Sequence, residues 1–138
     1  MRNTWIRRIS AIRKDGVESA INLTCGLNCI IGASNTGKTR IAKTVEFACG
    51  GKELPFTDKT AYEIAQVTFV TNGGEVSLSR SIHVQNTIHV KSSNPMIVPG
   101  SYSVSSRAGK SINTVLLALL GVESTRRIAT NETYHTCL

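Results

Sequence analysis

Hydrophobic and polar positions along this 138-residue chain change their period several times. Thr4 to Ile12 reads as a strand, with Trp5, Ile9 and Ile12 as its apolar positions. Lys14-Asp15-Gly16 has turn chemistry. Ser19 to Thr24 alternates again through Ala20, Ile21 and Leu23, and Cys25-Gly26 punctuates it. Leu27 to Ile31 is a short, mostly apolar run that meets Gly32, the pattern of a strand buried on both faces. From Lys38 the period becomes helical. Ile41, Val45 and Ala48 form one stripe, widened by Ala42 and Cys49, and Gly50-Gly51 supplies the stop.

Residues 61–71 and 75–84 predict a β-hairpin around Asn72-Gly73-Gly74. The second strand places Val76, Leu78, Arg80 and Ile82 on one face and Glu75, Ser77, Ser79 and Ser81 on the other. Thr87 to Lys91 extends the meander after Gln85-Asn86. Residues 92–111, with seven serines, two prolines and two glycines, predict a flexible connector. Ser111 is placed to cap a helix from Ile112 to Leu120, closed by Gly121. The expected division is thus one domain. Residues 1–60 hold strands and the first helix, 61–91 the meander, 92–111 the connector, 112–121 the second helix and 122–138 a polar tail.

Composition sharpens this outline. Hydrophobic residues make up 41% and charged residues 18%, enough for a packed core and against general disorder. Sixteen Lys and Arg against nine Asp and Glu leave a net charge of +7, which favours acidic partners such as nucleotides or nucleic acid. The longest apolar run, Val115 to Val122, is far short of the roughly 20 residues that span a bilayer. Arg13 and Lys14 arrive before a secretory apolar stretch can form. Cys25, Cys29, Cys49 and Cys137 make no C-x-x-C pair, so reduced thiols in a cytoplasmic protein are expected.

The chemistry lies in Gly32-Ala33-Ser34-Asn35-Thr36-Gly37-Lys38-Thr39, which matches the phosphate-binding loop G-x-x-x-x-G-K-[ST]. Glycines let the backbone fold tightly, so that successive N–H groups point at phosphate oxygens, and the following helix aims its positive end at the same place. Lys38 is expected to reach the β- and γ-phosphates of ATP, and the Thr39 hydroxyl to take a position on Mg²⁺. Arg40 is a further candidate nucleotide contact, or a solvated first-turn residue. From this chain's own composition, a chance match anywhere in it has odds of about one in a hundred. The apolar strand before the loop and the helix after it lower them further.

Gly26-Leu27-Asn28-Cys29-Ile30-Ile31-Gly32 running into Gly37-Lys38-Thr39, with a helix ending Phe47-Ala48-Cys49-Gly50, resembles the N-terminal lobe of the ABC-type ATPases that include the SMC and double-strand-break-repair ATPases. The hairpin at 61–84, with Arg80 late in its second strand, is similar in placement to antiparallel strands beside the nucleotide in that group. Ser111 to Gly121 resembles the short helix that often precedes a coiled-coil insertion there. The resemblance implies an α/β fold of the P-loop NTPase kind, with a mixed sheet, an antiparallel meander and about two main helices. It also implies ATP and Mg²⁺ as ligands, a genome-maintenance or defence role, and a C-terminal lobe or a homodimer as partner.

The departures are as informative. The group's acidic strand, four apolar residues followed by Asp-Glu, is absent from the sequence; the nearest imitation, Leu119 to Glu123, ends a helix and lacks Asp. Asn72-Gly73-Gly74-Glu75 imitates the Ser-Gly-Gly-Gln signature, but Val-Ser-Leu-Ser follows and alternates like a strand. The glutamine that senses the γ-phosphate is unplaced, with Gln66 and Gln85 candidates by type only. There are two aspartates, Asp15 and Asp58, and no obvious catalytic carboxylate. The chain therefore reads as a nucleotide-binding lobe with little turnover of its own.

Other signals are weaker. Gly109-Lys110-Ser111 lacks the first glycine of a second phosphate loop, so Ser111 reads as a cap. His83 and His89, on adjacent strands, are candidate metal ligands without a supporting Cys or carboxylate cluster. Arg7-Arg8, Arg13-Lys14 and Arg126-Arg127 are candidate DNA contacts, although no aromatic stacking platform accompanies them. A GTPase is excluded by the lack of Asn-Lys-x-Asp. Two alternatives stay open: a self-contained small-molecule kinase, for which Asp58 is poorly placed, and a basic, non-enzymatic nucleic-acid-binding module.

Overall fold

The fold was analysed in a computed structural model that describes residues 4–26, 38–56, 61–105 and 110–120, with the side chains of residues 38 and 39 outside that description. The described residues form six strands: β1 (Trp5–Arg13), β2 (Glu18–Asn22), β3 (Tyr62–Thr71), β4 (Gly74–Ser81), β5 (Thr87–Ser92) and β6 (Gly100–Ser103). Two helices accompany them, α1 (Lys38–Ala48) between β2 and β3 and α2 (Ile112–Leu119) after β6. The strands make one sheet in the order β2-β1-β3-β4-β5-β6.

Every pairing in this sheet is antiparallel, which corrects the expected mixed sheet as far as the described residues go. The reason lies in the connections. Short links join β1 to β2 and β3 through β6 in turn, and a short link returns the chain alongside itself in the opposite direction. The run at 27–31, read as a doubly buried strand, lies outside the described residues.

The β1–β2 turn has the chemistry its sequence suggests. Gly16 adopts φ +88°, its N–H donates to the Arg13 carbonyl, and the Asp15 carboxylate accepts from the Val17 N–H. β3 and β4 are joined by Asn72-Gly73 alone. Gly74 opens β4 at φ +142°, and a Cβ there would lie 2.5 Å from Ser93 Oγ and 2.9 Å from the Ser93 carbonyl carbon.

One face of the sheet carries the core. The alternation in β4 is realised: Val76, Leu78, Arg80 and Ile82 are buried, and the residues between them are not. Val67 pairs with Leu78, which pairs with Val90, so one apolar row crosses three strands. Ile9 extends the row on β1. Both helices contribute to the same core, α1 through Phe47 and Ala48, α2 through Ile112, Val115 and Leu119. The opposite face carries a polar row, with Ser10, Gln66, Ser79 and His89 at matching register.

Two expectations are corrected in detail. The α1 face that enters the core is Thr44, Phe47 and Ala48; Ile41 and Val45 are half-buried at its edge and Ala42 is exposed. Phe47, the bulkiest side chain of the helix, takes the centre. Thr44 can follow it inward because its hydroxyl donates to the Arg40 carbonyl one turn back, at 2.6 Å.

The other correction concerns residues 92–111, which are not simply a connector. β6 lies within them, and Tyr102 is buried in the core. The β5–β6 link is tied by Asn94: its Oδ1 accepts from the Met96 N–H and its Nδ2 donates to Thr71 Oγ1. Residues 106–109 lie outside the described residues, as do Gly121 and the tail.

Candidate functional site

The motif residues Gly32, Ala33, Ser34, Asn35, Thr36 and Gly37 fall outside the described residues, and Lys38 and Thr39 are described by backbone alone. What is visible is the support on which the motif ends. α1 is described from Lys38 onward, so the last two residues of the motif lie on a helix, as a phosphate-binding loop requires. Its first turn contains no acidic residue. The free N–H groups and positive dipole end of such a turn suit an anion. Arg40 is exposed in that turn and adds positive charge to it.

The helix lies across β1, β3 and β4, and its C-terminal end is fixed in two ways. The first is local. The Gly51 N–H donates to the Glu46 carbonyl at 2.8 Å and the Gly50 N–H to the Phe47 carbonyl at 3.0 Å, the Schellman pattern. Gly50 permits it by adopting φ +110°. Gly51 is equally restricted, since a Cβ there would sit 2.8 Å from the Glu46 carbonyl oxygen.

The second fixture is Arg80, which comes from β4 and is 4% exposed. Its Nη1 donates to the carbonyls of Phe47 (2.8 Å) and Gly51 (2.7 Å). Nε and Nη2 both donate to the Gln85 carbonyl, at 2.9 and 2.6 Å. The guanidinium carbon lies 4.1 Å from the centroid of the Phe47 ring, a cation–π contact. α1 has no basic residue in its own last turn, so Arg80 supplies the cation that the negative helix end favours. Burial lowers the guanidinium pKa from its ordinary value, yet arginine stays charged. The alternation of β4 gave the face of Arg80 but not these partners, which lie elsewhere in the sequence.

The described carboxylates are arranged for other work. Asp15 organises its turn and lies 3.5 Å from Arg13. Glu18 pairs with Arg8, Glu75 with Arg7, and Glu53 with Lys43, all at the surface. Asp58 lies outside the described residues. Among the described residues, no three His, Cys, Asp or Glu side chains gather to hold a metal ion.

His83 faces Glu63 (3.4 Å) and His89 Nδ1 faces Ser101 Oγ (3.1 Å), so the two histidines turn to different neighbours. Gln66 sits in β3 on the polar face, whereas Gln85 lies in the β4–β5 link and donates to the Ile82 carbonyl. Asn72-Gly73-Gly74-Glu75 is the β3–β4 turn and the start of β4. Arg7, Arg8 and Arg13 are each engaged by a carboxylate; Arg126-Arg127 lie outside the described residues. No helix among the described residues is long and apolar enough to cross a membrane.

Compared with known proteins, the chain matches no family model and no curated protein sequence.

Proposed function

We propose that this chain is the ATP-binding N-terminal lobe of an ABC-type ATPase of the SMC and DNA-repair kind, acting with a C-terminal lobe that supplies the acidic strand and signature motif. The observation that carries the reading is that the lysine and threonine closing the G-x-x-x-x-G-K-T sequence, residues 38 and 39, lie on a helix, α1. The donor set fits the ligand. A glycine-rich backbone, an acid-free first turn, an ammonium and a hydroxyl suit the oxygens of a nucleotide and the water shell of Mg²⁺. In this reading residues 32–37 cradle phosphate, Lys38 neutralises its charge, Thr39 contributes one oxygen to Mg²⁺, and Arg40 lies near the nucleotide.

The antiparallel sheet under α1 supports the same reading, because the resemblance places such strands beside the nucleotide. The test is titration with ATP and ADP in the presence and absence of Mg²⁺. Saturable binding is expected, and tighter binding when a facing lobe is supplied. Lys38→Ala is expected to abolish most of it, and Thr39→Ala to reduce mainly its Mg²⁺ dependence. Undiminished affinity in a folded Lys38→Ala protein overturns the assignment and leaves the basic nucleic-acid-binding module as the better reading.

A further inference from the structure

Position 80 continues the inward row Val76, Leu78, Arg80, Ile82 of β4. An apolar side chain would fill such a place without the desolvation that a buried cation suffers. Arginine is there instead, and four hydrogen bonds from its N–H groups end on just three backbone carbonyls, those of Phe47, Gly51 and Gln85. Among the described residues no carboxylate pairs with it. Its charge is balanced by carbonyl dipoles at one helix end and one strand link, and so its position is tied to them.

We infer that Arg80 is a positioning residue for the nucleotide site, clamping the C-terminal end of α1 so that its N-terminal end holds the phosphate loop in place. The inference rests on the phosphate-loop reading above. Its physical basis is leverage. An 11-residue helix is about 16 Å long. A tilt of only about 4° at the clamped end would move the other end by roughly 1 Å, enough to misplace phosphate donors. The Schellman bonds cannot prevent such a tilt, because they close the helix on its own backbone. Arg80 links that backbone to β4 and, through Gln85, to the end of the β4–β5 connection, just before β5. Coupling of this kind is reciprocal, so bound nucleotide must also tighten the clamp.

The test uses the full chain, titrated with Mg²⁺–ATP and Mg²⁺–ADP, as wild type, Lys38→Ala, Arg80→Met and Arg80→Lys. Arg80→Met, which keeps the apolar stem, is expected to lose about five-fold or more in affinity while keeping the β-rich circular dichroism of the wild type. Arg80→Lys, which keeps the charge but not the fork, is expected to recover part of that loss. Hydrogen exchange in the unaltered protein gives a readout independent of how well the variants fold. Nucleotide is expected to slow exchange of the amides at 47–51 and of the Arg80 Nε–H, and to do neither in Lys38→Ala. Wild-type affinity in folded Arg80→Met, or nucleotide binding that leaves 47–51 and Arg80 Nε–H unchanged, overturns the inference alone. Failure of the wild type to bind nucleotide overturns the phosphate-loop reading and this inference with it.

Discussion

Cys49 follows the last residue of α1, beside the carbonyls that Arg80 engages, and burial pushes its thiol up from 9.0 to about 11. The unfolded chain releases this proton near pH 9, whereas the folded chain keeps it until about pH 11. The contribution is therefore fully present below pH 9 and is lost as pH rises from 9 toward 11. Denaturant midpoints measured from pH 8 to 11 are expected to fall across that window, and the Cys49→Ala variant to fall less. At pH 8, where the shift leaves Cys49 with about a hundred-fold less thiolate than an ordinary thiol, peptide mapping after alkylation is expected to find exposed Cys25 labelled well before Cys49. Single residues were only partly legible in the sequence. Alternation with serine placed Arg80 inside, but the pattern of one strand carries no information about a carbonyl 33 residues earlier.

At the scale of elements, the described segments with strong local signals lie within about three residues of where the pattern places them. Ser111 caps α2: its backbone is extended (φ −93°, ψ 145°) and its hydroxyl accepts from the Asn113 N–H. Ser111→Ala is expected to lower stability by about 1 kcal/mol, read as a shift of the denaturation midpoint, and Ser111→Thr to restore most of it. β6 was illegible for the opposite reason. Gly100-Ser101-Tyr102-Ser103 offers one large apolar residue in four, too little for a strand pattern. Its pairing with β5, the burial of Tyr102 and the Lys110 ammonium 4.9 Å from the Tyr102 ring hold it in place, and all are tertiary. Phe47 in α1 shows the same limit, because a helical stripe fixes its own direction only to within the width of one bulky side chain.

For the whole molecule, the meander could be read strand by strand, but the parity of the complete sheet could not. The candidate site is a motif read from the sequence, glycines and a lysine at fixed spacing, whereas the bonds from Arg80 of β4 to the end of α1 were not legible there. Exposed apolar side chains remain at Val84, Met96, Val98 and Leu120. In the proposed reading the chain alone has negligible ATPase activity, since phosphoryl transfer needs charge and water positioned from the second lobe. Supplying that lobe, in cis or in trans, is expected to raise nucleotide affinity and create turnover. A multiple-turnover rate above about 1 s⁻¹ from this chain by itself would contradict the two-lobe assignment.

The strand order has a further consequence, for the path by which the chain folds. β3 to β6 join neighbours through short links, whereas β1 finds β3 only after the chain has passed through β2, the motif and α1. Closing that long loop costs more chain entropy than any hairpin in the meander, and contacts distant in sequence form late. The meander is therefore expected to be the early-forming part and the pairing of β1 with β3 the late one. Pulse-labelled hydrogen exchange during refolding checks this, with amides bonded between β4 and β5 protected before those bonded between β1 and β3. The segment between β2 and β3 would then be closed into a loop in the final step of folding, and in the proposed reading a nucleotide bound there would act on that last equilibrium, slowing the escape of β1 from β3.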